Sequence, residues 1–222
     1  MVWQIKDGVV SDTSFPFTHG TTTVHYGTMR DAVNREMFCS RAGIDFKRLV
    51  TLEQTHSTDI IIATERHGGQ QFPTADGLIT IVPKLPLGVF TADCIPVFMA
   101  DTQKRIVAMV HAGWRGVARG IIVQAATILK RDFNSNPADI HALLGPHMMK
   151  CCFEIGDEVR TAFNLPAQQT HADVTAIAVK QLVDAGITQV SVSPYCTAHQ
   201  KDLFFSFRRD KTTDRMMSFI QL

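Results

Sequence analysis

The sequence of 222 residues contains no apolar run near the roughly 18 residues of a membrane span, and its opening "MVWQIKDGVV" lacks the long apolar stretch of a signal peptide. Those absences lead us to expect a cytoplasmic protein with no membrane partner. Charge of one sign is not in excess either, because 22 lysines and arginines stand against 21 aspartates and glutamates without forming a basic stripe. Nucleic acid is therefore not an expected partner. No CxxC pair occurs among Cys39, Cys94, Cys151, Cys152 and Cys196, and the odd number leaves one unmatched. This argues against a disulfide framework and against a structural zinc knuckle, so any special cysteine should be a reactive group or a ligand. Repeats, low-complexity tracts and long Gly/Ser/Pro linkers are missing as well, and residues 1–222 read as a single domain.

With 45% of its residues hydrophobic, the chain has ample material for a buried core. The segment "DAVNREMFCSRAG" spaces Val33, Met37 and Phe38 as one helical face and stops at Gly43. Short strands are expected at 48–52 and 58–63. The runs "LITIV", "PLGVFT", "IPVFMA" and "RIVAMVH" follow closely, rich in branched and aromatic residues, and read as the sheet core. A helix over 117–130 carries Val117, Ile121, Ile122, Ala125, Ile128 and Leu129 at spacings that pack on a sheet. Further elements are a strand at "DIHALLG", helices at "IGDEVRTAF" and "ADVTAIAVKQLVDAG", and strands at "TQVSVS", "LFFSF" and "MMSFIQL". Strands and helices do not alternate strictly, which favours an α+β fold: a mixed sheet or sandwich core flanked by helices.

Candidate chemistry lies at the ends of these strands. Cys94 closes "TADC", His111 opens "HAGWRG", and His56 sits in "LEQTHSTD", between two expected strands. Two imidazoles and a thiolate suit zinc, and three protein ligands leave its fourth position open. Taken singly, each has an ordinary alternative: a buried small cysteine, a turn histidine.

The motifs "QTHS", "ADGLIT", "LGVFTADCIPV", "HAGWRG", "GPHMMKCCFEIGDEV" and "CTAHQKDLFFSFRRD", with the ending "RMMSFIQL", are similar to those of the laccase-domain, polyphenol-oxidase-like family. The resemblance implies a zinc-dependent purine nucleoside phosphorylase. Its zinc (Zn2+) would be held by His56, Cys94 and His111, with Cys94 serving the reaction as well. Its small-molecule partners would be phosphate and a purine nucleoside such as adenosine, inosine or methylthioadenosine. The same ion would support adenosine deamination, because zinc brings bound water near neutral pKa. Three segments depart from the family pattern: "TTTVHYG" in place of an early glycine-rich turn, Ala178 with Val179, and "TDR" near the end.

Phosphorolysis needs phosphate held beneath the sugar, for which the planar fork of arginine is suited. Arg35 in "VNRE" is the first candidate and Arg115 the second, with a surface salt bridge as the alternative for Arg115. Asp93 adjoins Cys94 and enters the same pocket only if the chain turns at "TADC". It would act as a general acid or base, or orient His56 or His111 from behind. Gly113 would clear space for the ligand and bring backbone N–H groups to it, or serve as a packing glycine. Cys196, Thr197 and Arg208 match late family motifs without a chemical role that can be derived.

Two other functions stay open. A single copper in a His2Cys site would serve a polyphenol oxidoreductase, although nine histidines with no His-x-His pair do not build a multicopper cluster. Alternatively, Cys94 as nucleophile with His111 as base would make a metal-free thiol hydrolase. The expected assembly is a monomer or a weak homo-oligomer.

Overall fold

Every residue of Ile95–Asp101 and of Ile106–Ala112 is buried, which a strand achieves only when both of its faces are covered. The computed structural model describes residues 2–222, and in it these two strands, β9 and β10, form an antiparallel pair at the centre of the fold. Side chains alternate across them as the strand period requires. Ile95, Val97, Met99, Ala108 and Val110 face a layer of helices, while Phe98, Ala100, Val107 and Met109 face a second sheet.

The central sheet runs β12 (Gln189–Val192), β11 (Ile140–Leu144), β9, β10, β7 (Gly77–Thr80), β5 (Ile60–Ile62), with parallel pairs at both edges and antiparallel pairs between. Against it lies an antiparallel sheet of β1 (Trp3–Lys6), β2 (Val9–Asp12), β3 (Thr18–Thr22), β13 (Met216–Gln221) and β8 (Leu87–Thr91). A two-stranded piece, β4 (Thr51–Leu52) with β6 (Gln71–Phe72), completes the set. Helix α1 (Ala32–Ala42) packs Phe38 and Cys39 with Met217 and Phe219 of β13. On the far side, α2 (Trp114–Ala118), α3 (Ile121–Phe133), α4 (Asp157–Ala162) and α5 (Val174–Asp184) bury their apolar stripes on β9, β10 and β11. The result is the α+β sandwich with flanking helices. Among the described residues no helix is long and apolar enough to cross a membrane.

Four local expectations need correction. Helix α1 ends at Gly43 in the left-handed conformation, but Val33 and Met37 lie on its exposed side, and Cys39 joins Phe38 on the buried one. The helix expected over 117–130 is two helices, because it starts earlier, at Trp114, and breaks at Gly120, whose φ of 84° no helix accommodates. "LFFSF" is not a strand: Phe204 is buried beside Val10 and Met216, and the Ser206 side chain accepts the Arg209 N–H to start a short helix, α6 (Phe207–Asp210). A capping serine competes with strand pairing at that point. The strands expected at 48–52 and 58–63 shorten to β4 and β5.

Candidate metal centre

Two loops and the end of a strand meet where the two sheets open at one end. His111 is the penultimate residue of β10, in phase with Val107 and Met109 and so directed to the inter-sheet side. Cys94 precedes β9 at a bend after β8, and the chain does turn there: Asp93 has a φ of 88°. His56, with a φ of 61°, lies in the loop after β4. Left-handed backbone at a residue with a Cβ costs about 1 kcal/mol or more and persists only where neighbours impose it.

The neighbour that imposes it on His56 is Asp76, at the start of β7. The fully buried Asp76 carboxylate accepts the main-chain N–H groups of Thr55, His56 and Ser57 (3.2, 3.1 and 2.6 Å), the Ser57 hydroxyl (2.8 Å) and Nδ1 of His111 (2.7 Å). One carboxylate thus shapes the histidine loop and orients the second histidine. The Gln54 amide adds a second anchor, pairing with both the carbonyl and the N–H of Phe90 in β8 at 2.6 and 2.7 Å.

His56 Nε2 lies 3.7 Å from Cys94 Sγ, and one ligand atom from each of His56, Cys94 and His111 falls within 4.8 Å of the others. The imidazole rings meet edge-on, with centroids 4.9 Å apart. Burial disfavours charge on both Cys94 and His111, but each is offset by its partners. His111 and then His56 bring the Cys94 thiol down to about 6, while Cys94 and then Asp76 raise His111 to about 9. Asp76 is likewise opposed by burial, yet His111 and Ser57 hold it at about 2. Without an ion, the pair at neutral pH is a thiolate beside an imidazolium. The donor set fits zinc: one thiolate, two imidazoles, and Nδ1 of His111 engaged by a carboxylate so that Nε2 is left for a ligand.

Gly113 stands at the N-terminus of α2, and its missing side chain has a specific occupant. A Cβ there would lie 2.4 Å from Cδ2 and 2.9 Å from Nε2 of His56. The cleared space expected for a ligand is filled by the His56 ring. A Cβ on Gly116 would instead press on Ile121 and the Ser57 carbonyl at 3.3 and 3.4 Å, which marks it as a packing glycine.

The group opens into a cleft of about 720 Å³. Arg30, Arg35, Arg115, Arg208 and Arg215 line it, with the aromatic rings of Phe90, Trp114, Phe153 and Phe207. Main-chain carbonyls hold several of these guanidinium groups. Arg35 donates to the carbonyls of Met29 and Arg30 at 2.6 and 2.9 Å, Arg208 to that of Glu154, and Arg215 to those of Thr212 and Asp214. Burial, and then the neighbouring Arg30, push Arg215 below the usual guanidinium range. Among the described residues, Arg30, Arg35, Arg208 and Arg215 make no ion pair, whereas Arg115 pairs with Glu158 at 2.7 Å while stacking on Trp114.

Asp93 does not orient either histidine. Its oxygens accept the Thr197 hydroxyl at 2.8 Å and the Arg208 N–H at 2.7 Å, which hold its turned backbone in place. The carboxylate that does orient a histidine is Asp76, which sequence reasoning passed over although "ADGLIT" had been singled out. The signal was available: an aspartate that opens an apolar strand is placed to support a ligand histidine. Arg30 and Arg215 were also passed over, since isolated arginines carry no spacing pattern.

Residues 2–222 match the multi-copper polyphenol oxidoreductase laccase family. The chain is 33% identical to the purine nucleoside phosphorylase YfiH of Escherichia coli, over 93% of this chain and 88% of that one. It is 32% identical to the purine nucleoside phosphorylase YlmD of Bacillus subtilis, over 97% and 85%. The crystal structure of a Bacillus licheniformis hypothetical protein YfiH superposes with a TM-score of 0.92 at 30% identity, covering 99% of this chain and 98% of that one.

Proposed function

The chain belongs to the multi-copper polyphenol oxidoreductase laccase family, and from that membership we propose that it is a zinc-dependent purine nucleoside phosphorylase. Its relatives named as such suggest the reaction class: a purine nucleoside and phosphate give free base and sugar 1-phosphate. The observation that carries the reading is a cleft in which four guanidinium groups, without carboxylate partners among the described residues, stand beside a His2Cys donor set.

In this reading Arg35 and its neighbours hold phosphate as a bidentate clamp, their charge free because main-chain carbonyls position them. Phe153, Phe207 and Trp114 offer faces for a purine. An oxygen of hydrogen phosphate attacks the anomeric carbon as the carbon–nitrogen bond breaks; the electron pair of that bond leaves with the base, which takes up the proton that the phosphate gives up. His56, Cys94 and His111 would hold the zinc ion, and the chemistry it would supply there is Lewis acidity. Asp76 keeps the histidines in place, and Asp93 keeps the wall between Cys94 and Arg208 in its turned conformation.

The test is metal-quantified protein incubated with adenosine, inosine and methylthioadenosine, with and without phosphate, the products being read by chromatography. Free base is expected only with phosphate, and inosine formed from adenosine without phosphate assigns deamination to the same centre. Cys94→Ala should lose metal and turnover together. Arg35→Ala should keep the metal and raise KM for phosphate about tenfold or more, the loss of one charge-assisted hydrogen bond. Base release at full rate by metal-free protein overturns the zinc reading. Turnover that survives chelation but is abolished by alkylation of Cys94 assigns the chemistry to the thiol instead.

A further inference from the structure

A second group of donor side chains lies outside the cleft. Cys151 and Cys152 follow the loop after β11, and Cys196 and His199 belong to the turn after β12. One ligand atom from each of the four falls within 4.8 Å of all the others. The Cys151 and Cys152 sulfurs are 3.7 Å apart, and Cys151 Sγ lies 3.9 Å from His199 Nδ1. With zinc–sulfur bonds of about 2.3 Å, the edge of a zinc tetrahedron between two sulfurs is about 3.8 Å, and an edge between sulfur and nitrogen is slightly shorter. The two observed separations are close to those edges.

The surroundings are those of a ligand group. All five cysteines are free thiols. The buried Cys196 sulfur accepts the Met149 main-chain N–H at 3.5 Å, and the N–H groups of Ala198 and His199 face it as well. Cys196-x-x-His199 has a spacing that lets one turn supply two ligands to one ion, and the adjacent pair Cys151–Cys152 supplies the rest. The expectation that the cysteines lack a zinc-knuckle pattern rested on the missing CxxC. The fold brings together a Cys3His set from two distant pairs.

We infer that Cys151, Cys152, Cys196 and His199 form a second, structural metal site that takes a zinc ion in a closed four-ligand shell. Its effect on the molecule follows from what the two segments do. His147 already pairs with the 195–197 segment through main-chain bonds, among them Thr197 N–H to His147 carbonyl at 3.0 Å. Thr197, adjacent to Cys196, holds Asp93, and Phe153, adjacent to Cys152, lines the cleft. An ion here would fasten two segments that form the back of that wall without touching substrate.

The inference does not rest on the proposed phosphorylase activity. The full-length protein is saturated with zinc, freed of excess, and its metal content measured together with intact mass and titratable thiols. Two equivalents are expected in the wild type and one in Cys151→Ser and in His199→Ala, two exposed positions where substitution spares the core. Cys94→Ala should also keep one, and Cys94→Ala combined with Cys151→Ser should keep none. Cobalt substituted into Cys94→Ala should show the thiolate charge-transfer absorption of a three-sulfur site. A wild type that saturates at one equivalent lost in Cys94→Ala overturns the inference, as does retention of both equivalents in Cys151→Ser and His199→Ala. So does an intact mass two hydrogens low with a disulfide joining this group. A single equivalent kept in Cys94→Ala and lost in Cys151→Ser supports this site while overturning the one at Cys94.

Discussion

Gly113 and Asp76 do more for the centre than their size or position in the sequence suggests. The first leaves room for the His56 ring and the second ties that ring's loop to His111, so each acts on a donor without being one. Gly113→Ala should therefore evict the imidazole: a Cβ at 2.4 Å from a ring carbon is well inside van der Waals contact, so the His56 ring has to leave the position from which it reaches Cys94. Elemental analysis should find this centre empty in that variant, with far-UV circular dichroism unchanged. The thiolate–imidazolium pair yields a second expectation. Cys94, lowered to about 6 from an ordinary thiol value of 9.0, is a thiolate above about pH 6, and His111, raised to about 9, keeps its proton up to that pH. In metal-free protein, alkylation of Cys94 followed by peptide mass should rise with a midpoint near pH 6, and zinc should suppress it. A midpoint near 9 would mean that the two groups do not share a proton in this way.

Among the elements, the sequence was most readable where burial was complete. β9 and β10 showed as dense apolar runs, and the residues assigned to the inner face of α3 are all buried. Readability failed where one local competitor decided the outcome. Ser206 turned "LFFSF" into a cap, and Gly120 divided one helical stripe into two helices that keep the same buried face. α1 misled for a different reason: Phe38 is flanked by Met37 and Cys39, and periodicity alone assigned the wrong partner to its face. The donors themselves were legible because three chemically unusual residues sat at strand ends, whereas Asp76, Arg30 and Arg215 looked like ordinary charges. Gly120→Ala tests the break between α2 and α3. The space around its Cβ is open, with Val123 at 3.9 Å, so the cost is that of a left-handed alanine, about 1 kcal/mol. Denaturant unfolding should show a lower midpoint at unchanged slope.

At the scale of the whole molecule, a formal net charge of +1 conceals an uneven distribution. Four guanidinium groups that make no ion pair among the described residues converge in one cleft, and its walls focus their field toward an incoming anion. In the proposed phosphorolysis, the KM for phosphate should accordingly rise as potassium chloride is raised from low to physiological ionic strength, while the KM for the uncharged nucleoside changes little. Steady-state kinetics over a salt series would separate the two. The sandwich has its own measure in Phe98, fully enclosed between the sheets: Phe98→Ala should cost about 3–5 kcal/mol in equilibrium unfolding.

The two sheets also set a sequence of events in time. His56 and Cys94 come from two loops and His111 from the end of β10, 38 and then 17 residues apart along the chain, and they converge only where one sheet is seated on the other. In a nascent or unfolded chain these three donors are far apart, and assembly of this centre has to wait for tertiary closure. Zinc uptake at this centre during refolding would lag behind secondary structure and coincide with burial of the inter-sheet side chains, so that a loaded centre certifies a finished molecule.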